Sequence, residues 1–393
     1  MRLTDIRDQD VLDEAERIMT ICNACRYCEG HCAVFPAMER RLDFAAPDLE
    51  YLANLCHNCG ACYHHCQYAE PHDFAVNVPR TFAKLRKETY AAYAWPAFMG
   101  RVFHGNGTWV AALATLALVV FIAGTALIGG PADFFAVHPE GFYGVIPHQV
   151  MAGLFGLVGL FVLLALVMGV VRYWRALGLP APLGVGGPQV LQAVRDALTL
   201  KYLDGGAGEG CTYPGERPSL ARRRFHHLTF YGFLLCFAAT CVGTLYHYGF
   251  GWIAPYGYTS LPKILGISGG IGLLIGPAGL LWLKHKADPA AVDKDSGGMD
   301  RAFLWLLLLT SATGLALMLA KGTTLLGTLL SIHLGIVLGL FLTLPYGKFA
   351  HGFYRLVALI AHALETRHGA RMTPAPAAAP DPEAAASARR DAA

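Results

Sequence analysis

The chain has 393 residues, of which 54% are hydrophobic and only 15% are charged. This composition excludes a single soluble domain and indicates a membrane protein with a polar extension. A net charge of +3 is too small to indicate a nucleic-acid partner, and we expect none. Residues 1–21 are acidic and polar and lack the apolar stretch of a signal peptide, so we expect the N-terminus to stay in the cytoplasm.

The polar N-terminal region, residues 1–100, contains two predicted helices. Apolar side chains recur at helical spacing in residues 8–21, which predicts a short amphipathic helix. Residues 74–93 indicate a second, basic helix that leads towards the membrane. With the apolar segments described below, these elements predict an all-α fold.

Two cysteine runs between these helices share the pattern C-x2-C-x2-C-x3-C, and the second run begins 34 residues after the first. Their eight members are Cys22, Cys25, Cys28, Cys32, Cys56, Cys59, Cys62 and Cys66. A 4Fe–4S cluster needs four thiolates, and in two-cluster ferredoxins the fourth cysteine of each run binds the other cluster. The predicted clusters are therefore Cys22, Cys25, Cys28 and Cys66 for one, and Cys32, Cys56, Cys59 and Cys62 for the other.

Structural zinc is the alternative for these cysteines, but zinc favours paired C-x2-C units over triplets with a fourth member. The proline that usually follows the fourth cysteine is absent, since Ala33 and Gln67 stand there. We expect this change to affect the reduction potential or the solvent exposure of a cluster more than its binding by the cysteines. No cysteine position is left open for a substrate, so both clusters should only transfer electrons. Cys236 and Cys241 are interpreted as apolar fillers of a membrane helix, and Cys211 has no assigned role.

Six apolar segments follow, each close to the roughly 20 residues that a membrane-spanning helix needs. They are residues 109–129, 148–171, 227–247, 261–283, 302–320 and 325–345. A large soluble helical core is the alternative, but segments so poor in charge disfavour it. Basic residues lie in loops 172–226 and 284–301 and in the tail after 345, whereas the other loops contain only Lys321. The positive-inside rule therefore places both termini and both long loops in the cytoplasm, on a multi-pass protein of the bacterial inner membrane.

The predicted organisation has three regions. The ferredoxin-like domain covers residues 1–100, and the membrane domain covers residues 101–365 with its cytoplasmic loop 172–226. Within that Gly-rich loop we predict a short amphipathic helix near Val190–Tyr202. The Ala/Pro-rich tail, residues 366–393, is predicted to be disordered.

Histidines in and beside the membrane segments are functional candidates, because an ionisable group at membrane depth is costly. They are His148, His226, His227, His247, His333 and His351. We predict that His333 and His351 lie on one continuous last helix, about 27 Å apart. His227 and His247 lie on an antiparallel helix, about 30 Å apart. The two helices would then present histidines at matching depths.

Haem bound by two histidines needs two imidazoles that face each other within a helix bundle. The predicted inner pair is His351 with His227 or His226. The predicted outer pair is His333 with His247 or His148. The alternative is that these histidines are interfacial residues or hydrogen-bond donors between helices.

Four stretches of the sequence closely resemble the tricarballylate/citrate-utilisation protein B family. They are ICNACRYCEGHCAVFPAME, GCTYPGERPSLARRRFHHLTFYGFLLCF, GGIGLLIGPAGLLWLK and IHLGIVLGLFLTLPYGKFAHGFYRL. The resemblance extends over residues 10–365 and implies two 4Fe–4S clusters and b-type haem. It also implies a role in reoxidising the flavin of an FAD-dependent tricarballylate dehydrogenase and passing the electrons to the quinone pool. The chain has no flavin-binding glycine motif, so that dehydrogenase would be a separate chain.

The last membrane segment is also similar to the haem-bearing helix of nitrate reductase gamma subunits, which places two histidines as His333 and His351 stand here. In those subunits the partner helix has a second histidine about ten residues after the first. Here Cys236 or Phe237 stands near that place instead of a histidine. The chain could therefore bind either one haem or two. The implied architecture is an α-helical ferredoxin domain on a six-helix, gamma-like membrane bundle.

The predicted function is that of a membrane-bound electron-transfer subunit without its own acid–base site. One alternative is a tricarboxylate transporter with a redox-regulated domain, which would need midplane charges or inverted repeats that the sequence does not present. The other is a membrane redox sensor whose clusters signal without turnover.

Overall fold

The computed structural model describes residues 8–104, 107–139, 141–206, 208–293 and 297–369. Their regular structure is helical, apart from one isolated β-bridge between Cys211 and Ser219. The predicted all-α class is therefore confirmed. Most of the predicted disordered tail, residues 370–393, lies outside the described residues and stays a prediction.

Five helices form the N-terminal region: α1 (Gln9–Cys25), α2 (Val34–Met38), α3 (Ala46–Leu55), α4 (Ala61–His64) and α5 (Val78–Tyr93). The Asp8 side chain caps α1 by accepting a hydrogen bond from the Asp10 N–H at 3.0 Å. Helix α1 continues one turn beyond the predicted 8–21, and its last turn contains Cys22 and Cys25. Asn77 caps α5 in the same way through the Arg80 N–H.

Ten helices follow: α6 (Ala97–His104), α7 (Gly107–Gly129), α8 (Phe142–Val145), α9 (His148–Ala176), α10 (Gly187–Leu198), α11 (Ala221–Phe250), α12 (Leu261–His285), α13 (Gly297–Leu319), α14 (Leu326–Thr343) and α15 (His351–His368). Within the described ranges, six of these helices are long and apolar enough to cross a membrane, namely α7, α9, α11, α12, α13 and α14. They match the six predicted segments and are compatible with a multi-pass membrane protein.

Glycines bring α11 and α12 close together. A Cβ on Gly269 would lie 2.7 Å from the carbonyl oxygen of Gly232, so these positions accept no larger residue without a shift. Such small-residue contacts are typical of membrane helix pairs, where close backbone approach supplies the packing energy.

The end of the membrane domain differs from the predicted single helix. Helix α14 stops at Thr343, a 3-10 turn follows at Lys348–Ala350, and α15 begins at His351. Pro345 lacks the N–H that a continuing helix would need, which explains the break. The prediction that His333 and His351 share one continuous helix is therefore wrong.

Helix α15 packs against the helices of the N-terminal region. Its apolar side, with Val357, Leu359 and Leu364, lies in the same core as α1, α3 and α5. A buried ion network fixes this contact. Arg41 donates to Asp48 at 2.6 Å and to Glu365 of α15 at 2.5 Å. The last described helix thereby closes the N-terminal domain; the predicted boundaries at residues 100 and 365 stay a prediction.

Candidate functional site

The first group of cysteines lies near the surface. One small cavity is lined by Cys22, Cys25, Cys28, Cys62 and Cys66. Arg26, in the left-handed conformation at φ 53°, ends α1 and turns the chain so that Cys28 faces the same cavity. The fourth cysteine of the second run thus lies with three of the first run, which is compatible with the crossed arrangement; the division of the eight cysteines between two clusters stays a prediction.

The second group lies deeper, and Cys56 and Cys59 are buried. Burial and the neighbouring thiols of Cys59 and Cys56 raise the pKa of Cys32 well above its usual value. Burial followed by the same two neighbours also raises the pKa of Cys62. Metal binding would replace the protons of such thiols.

The arrangement does not suit a single metal ion. Among the described residues, no three histidine, cysteine or carboxylate side chains converge as they would around one ion. A zinc site holds each sulfur about 2.3 Å from the metal, which forces such convergence. Sulfurs grouped around a cavity are better suited to a larger inorganic cluster.

A larger cavity of about 480 Å³ lies directly beside the second cysteine group. That volume is within the usual range of cofactor sites, about 300–1,000 Å³. Its lining includes the aromatic side chains of Phe230, Phe233, Phe303 and Phe349. It also includes the basic side chains of Arg86, Arg222, Lys284, Lys348 and Arg355. A flat, apolar cofactor with acidic substituents fits this lining.

Two imidazoles face each other in this cavity. The ring centroids of His226 and His351 lie 6.1 Å apart, and the ring planes are inclined by 80°. Two imidazoles on one iron have centroids about 6 Å apart, since each metal–nitrogen bond is about 2 Å long. The spacing would therefore allow both rings to hold one iron between them.

The protonation of both rings also fits ligation. The Nδ1 of His351 contacts the carbonyl oxygen of Lys348, which can only accept, so Nδ1 carries the proton and Nε2 keeps a free lone pair. Burial and the charges of Lys348 and Arg355 lower the pKa of His351 well below its usual value, so the ring is neutral. The Nδ1 of His226 is buried without a partner among the described residues.

The remaining candidate histidines lie elsewhere. His227 contacts Tyr231 and does not line the cavity. His333 forms a 3.0 Å hydrogen bond with the Thr313 hydroxyl of α13. His148 and His247 stack on each other with centroids 4.1 Å apart, which is too close for an iron between them. The structure therefore brings together His226 with His351, and His148 with His247.

Three arginines join the cavity to the second cysteine group, and none of them was among the predicted site residues. Arg86 donates to the carbonyl oxygens of Ala53 and Cys56 at 3.0 and 3.2 Å. Arg355 also donates to the Cys56 carbonyl, and Arg222 donates to that of Asn58. Arg355 lies one turn after His351 and Arg222 one turn before His226, a spacing that could have indicated their shared site.

The chain was compared with known proteins. The family model "Citrate utilization protein B" matches residues 106–372, and the model "Citrate utilization protein B Fer4-like domain" matches residues 15–92. A curated Escherichia coli protein named "Citrate utilization protein B" is 51% identical over 359 residues, which cover 91% of this chain and 93% of that protein.

No solved structure matches the chain. The Fer4-like domain indicates an iron–sulfur electron-transfer role, in agreement with the two cysteine runs. The matches cover both the cysteine-rich region and the membrane helices. The chain therefore belongs to the citrate utilization protein B family.

Proposed function

We propose that this chain is the membrane-bound electron-transfer subunit of a two-component oxidoreductase. It reoxidises the reduced flavin of a separate FAD-dependent tricarballylate, or related tricarboxylate, dehydrogenase. Two 4Fe–4S clusters and one b-type haem then lead the electrons to the quinone pool. The protein would lie in the bacterial inner membrane with both termini in the cytoplasm, as the basic loops favour.

The contact between the second cysteine group and the histidine cavity carries this proposal. His57 and Asn58, which directly follow Cys56, line the cavity that contains His226 and His351. A cluster held by Cys56 would thus be one residue away from the wall of the haem cavity. Electron transfer between two centres requires such proximity, whereas unrelated structural sites do not.

The two cysteine groups differ in depth, and this difference supports an order of transfer. The first group borders the surface beside Tyr27, whose side chain is 68% exposed. The second group is more deeply buried and adjoins the cavity. We infer that a reduced flavoprotein docks near the first group, and that the second group connects it to the membrane domain.

The residues that would hold the haem are the two histidines and the basic side chains of the cavity. His226 and His351 would bind the iron, and Arg86, Arg222 and Arg355 would offer donors to acidic substituents. A bound b-type haem supplies a one-electron carrier that extends from the clusters into the bilayer. The stacked His148 and His247 lie outside this arrangement, so we propose one haem per chain.

Quinone reduction in proteoliposomes tests the proposal. Reduced flavoprotein should reduce a membrane quinone only when this chain is present, and Cys56→Ser should abolish that activity. The Cys241→Ala variant is the matched control, since Cys241 lies exposed on α11. Equal quinone reduction without the chain, or full activity of Cys56→Ser, would contradict the proposal.

A further inference from the structure

The loop between α10 and α11 covers the second cysteine group. We call residues 199–206 and 208–220 the covering loop. Gly206 packs against the backbone of Gly30 and His31, in the first cysteine run. The loop is closed on itself by the bridge between Cys211 and Ser219, with N–O distances of 3.0 and 2.9 Å. Part of the connection between the membrane helices α9 and α11 thereby belongs to the wall around the cysteines.

The covering loop approaches the second run at Gly60. This glycine has φ +82°, and a Cβ there would lie 2.6 Å from the carbonyl oxygen of Thr212. Only glycine accepts both the left-handed conformation and this contact. The loop and the Cys59–Gly60 turn are therefore fitted to each other, and the residues beside Thr212 face the sulfur of Cys59.

Cys211 places a thiol beside that sulfur. Its side chain is 0% exposed and lies in the same buried cluster as Cys59. Its sulfur is 3.3 Å from the carbonyl oxygen of Leu203, to which the thiol can donate. A thiol has one proton, so an anionic sulfur at Cys59 would compete with that carbonyl oxygen. A metal-bound Cys59 is an anionic thiolate, and hydrogen bonds to ionised acceptors are about twice as strong as those to neutral ones.

Thr212 gives a second and independent indication. It is 2% exposed, and its hydroxyl has no hydrogen-bond partner among the described residues. That hydroxyl oxygen lies 3.5 Å from the position of a Cβ on Gly60, so it faces the turn after Cys59. A buried hydroxyl without a partner costs about 1–3 kcal/mol. A cluster sulfur would provide the acceptor that the protein itself does not.

We propose that Cys211 and Thr212 are positioning residues that donate hydrogen bonds to sulfurs of the iron–sulfur cluster bound by the second run. The inference rests on the proposed iron–sulfur function. Donors to cluster sulfurs stabilise the reduced form, which carries more negative charge, and so raise its reduction potential. The covering loop would thus set the potential of the cluster that adjoins the histidine cavity.

Redox titration of the full-length, membrane-inserted protein, followed by electron paramagnetic resonance, tests this. Cys211→Ala should lower the potential of one cluster signal and leave the other unchanged, with the iron content of the wild type. Cys211→Ser keeps a hydrogen-bond donor, so the potential of this variant should lie much closer to the wild-type value. Thr212→Val should shift the same signal in the same direction. Cys241→Ala, which removes an exposed cysteine of α11, should change neither signal.

Two results would overturn the inference. Unchanged potentials in both Cys211→Ala and Thr212→Val would show that these residues only fill space. Loss of one cluster from both Cys211→Ala and Cys211→Ser would make Cys211 a ligand and not a donor. A wild-type protein without any iron–sulfur signal would instead refute the proposed function itself, so the two failures are distinguishable.

Discussion

The imidazole of His226 lies 6.1 Å from that of His351, centroid to centroid, at the junction between the N-terminal domain and the membrane helices. The helices that bear these rings also supply Arg222 and Arg355, which bind the carbonyl oxygens of Asn58 and Cys56. One arginine on each helix thus links the cysteine loop to the helix turn that bears the histidine. The pair and the second cysteine group form one structural unit.

This unit makes a specific prediction about haem ligation. His226→Ala and His351→Ala should each abolish the b-type haem absorption of the purified protein, because each removes one of two axial ligands. His227→Ala is the neighbouring control and should keep it, since His227 does not line the cavity. The reduced-minus-oxidised visible spectrum measures all three. Haem loss from His227→Ala but not from His226→Ala would show that the pair was assigned wrongly.

The outer histidines should not bind a second haem. His148 and His247 stack directly, and His333 bonds to Thr313. His148→Ala and His333→Ala should therefore retain the full haem content of the wild type, about one per chain. Haem quantitation by pyridine haemochrome tests this prediction. A drop to half the wild-type content in either variant would indicate an outer haem.

Arg355 should stabilise the second cluster without binding it. Arg355→Leu leaves the carbonyl oxygens of Asn54 and Cys56 short of a buried donor, at a cost of about 2 kcal/mol. We expect iron loss to a chelator to become roughly 30-fold faster, which corresponds to that free energy. Arg175→Leu changes an exposed arginine and should have no effect. Equal rates for Arg355→Leu and the wild type would contradict the assignment.

The buried ion network that holds α15 should be sensitive to the loss of one partner. Arg41→Met removes the Arg41 cation from the buried carboxylates of Asp48 and Glu365, which costs about 3–5 kcal/mol. The exposed pair of Arg17 and Glu14 is the matched control, and Glu14→Gln should cost less than about 1 kcal/mol. Thermal inactivation of electron transfer compares the two variants. Similar losses of thermal stability in both variants would show that the buried ion network does not stabilise the protein.

Glu88 should make stability depend on pH. Burial raises its pKa to about 7, although the Asp8 N–H donates to its carboxylate. Its unfolded value is about 4.3, so the folded state binds more protons between these values. The free energy of unfolding therefore falls by up to roughly 2 kcal/mol as pH rises from about 4.5 to 7. Glu88→Gln should be more thermostable than the wild type at about pH 8 and similar to it near pH 4. The same advantage at both pH values would contradict this prediction.

Local patterns were sufficient to predict most of the fold. The spacing of the cysteine runs predicts the crossed groups, because the x2 spacing lets three cysteines reach one cluster while the fourth is better placed for the other. The six apolar segments predict the membrane helices, because length and hydropathy are properties of single segments. Pro345 indicates the break before His351. The similarity of this segment to a haem-bearing helix favoured one continuous helix instead.

Tertiary contacts account for what the sequence left open. Helix α15 packs against the N-terminal domain through residues far apart in the chain, such as Glu365 and Arg41. Whether His226 or His227 faces the cavity depends on the rotation of α11, which neighbouring positions alone do not determine. Cys211 had no assigned role because its relation to Cys59 exists only once the covering loop is folded.

Quantitation of iron, acid-labile sulfide and haem in the purified protein tests the central claim most directly. The account predicts about eight cluster irons and one b-type haem per chain, with the haem reducible through the clusters by the reduced flavoprotein. Eight cluster irons without haem would refute the histidine cavity as an electron-transfer site and leave the cysteine assignment standing. A protein with neither would contradict the account as a whole.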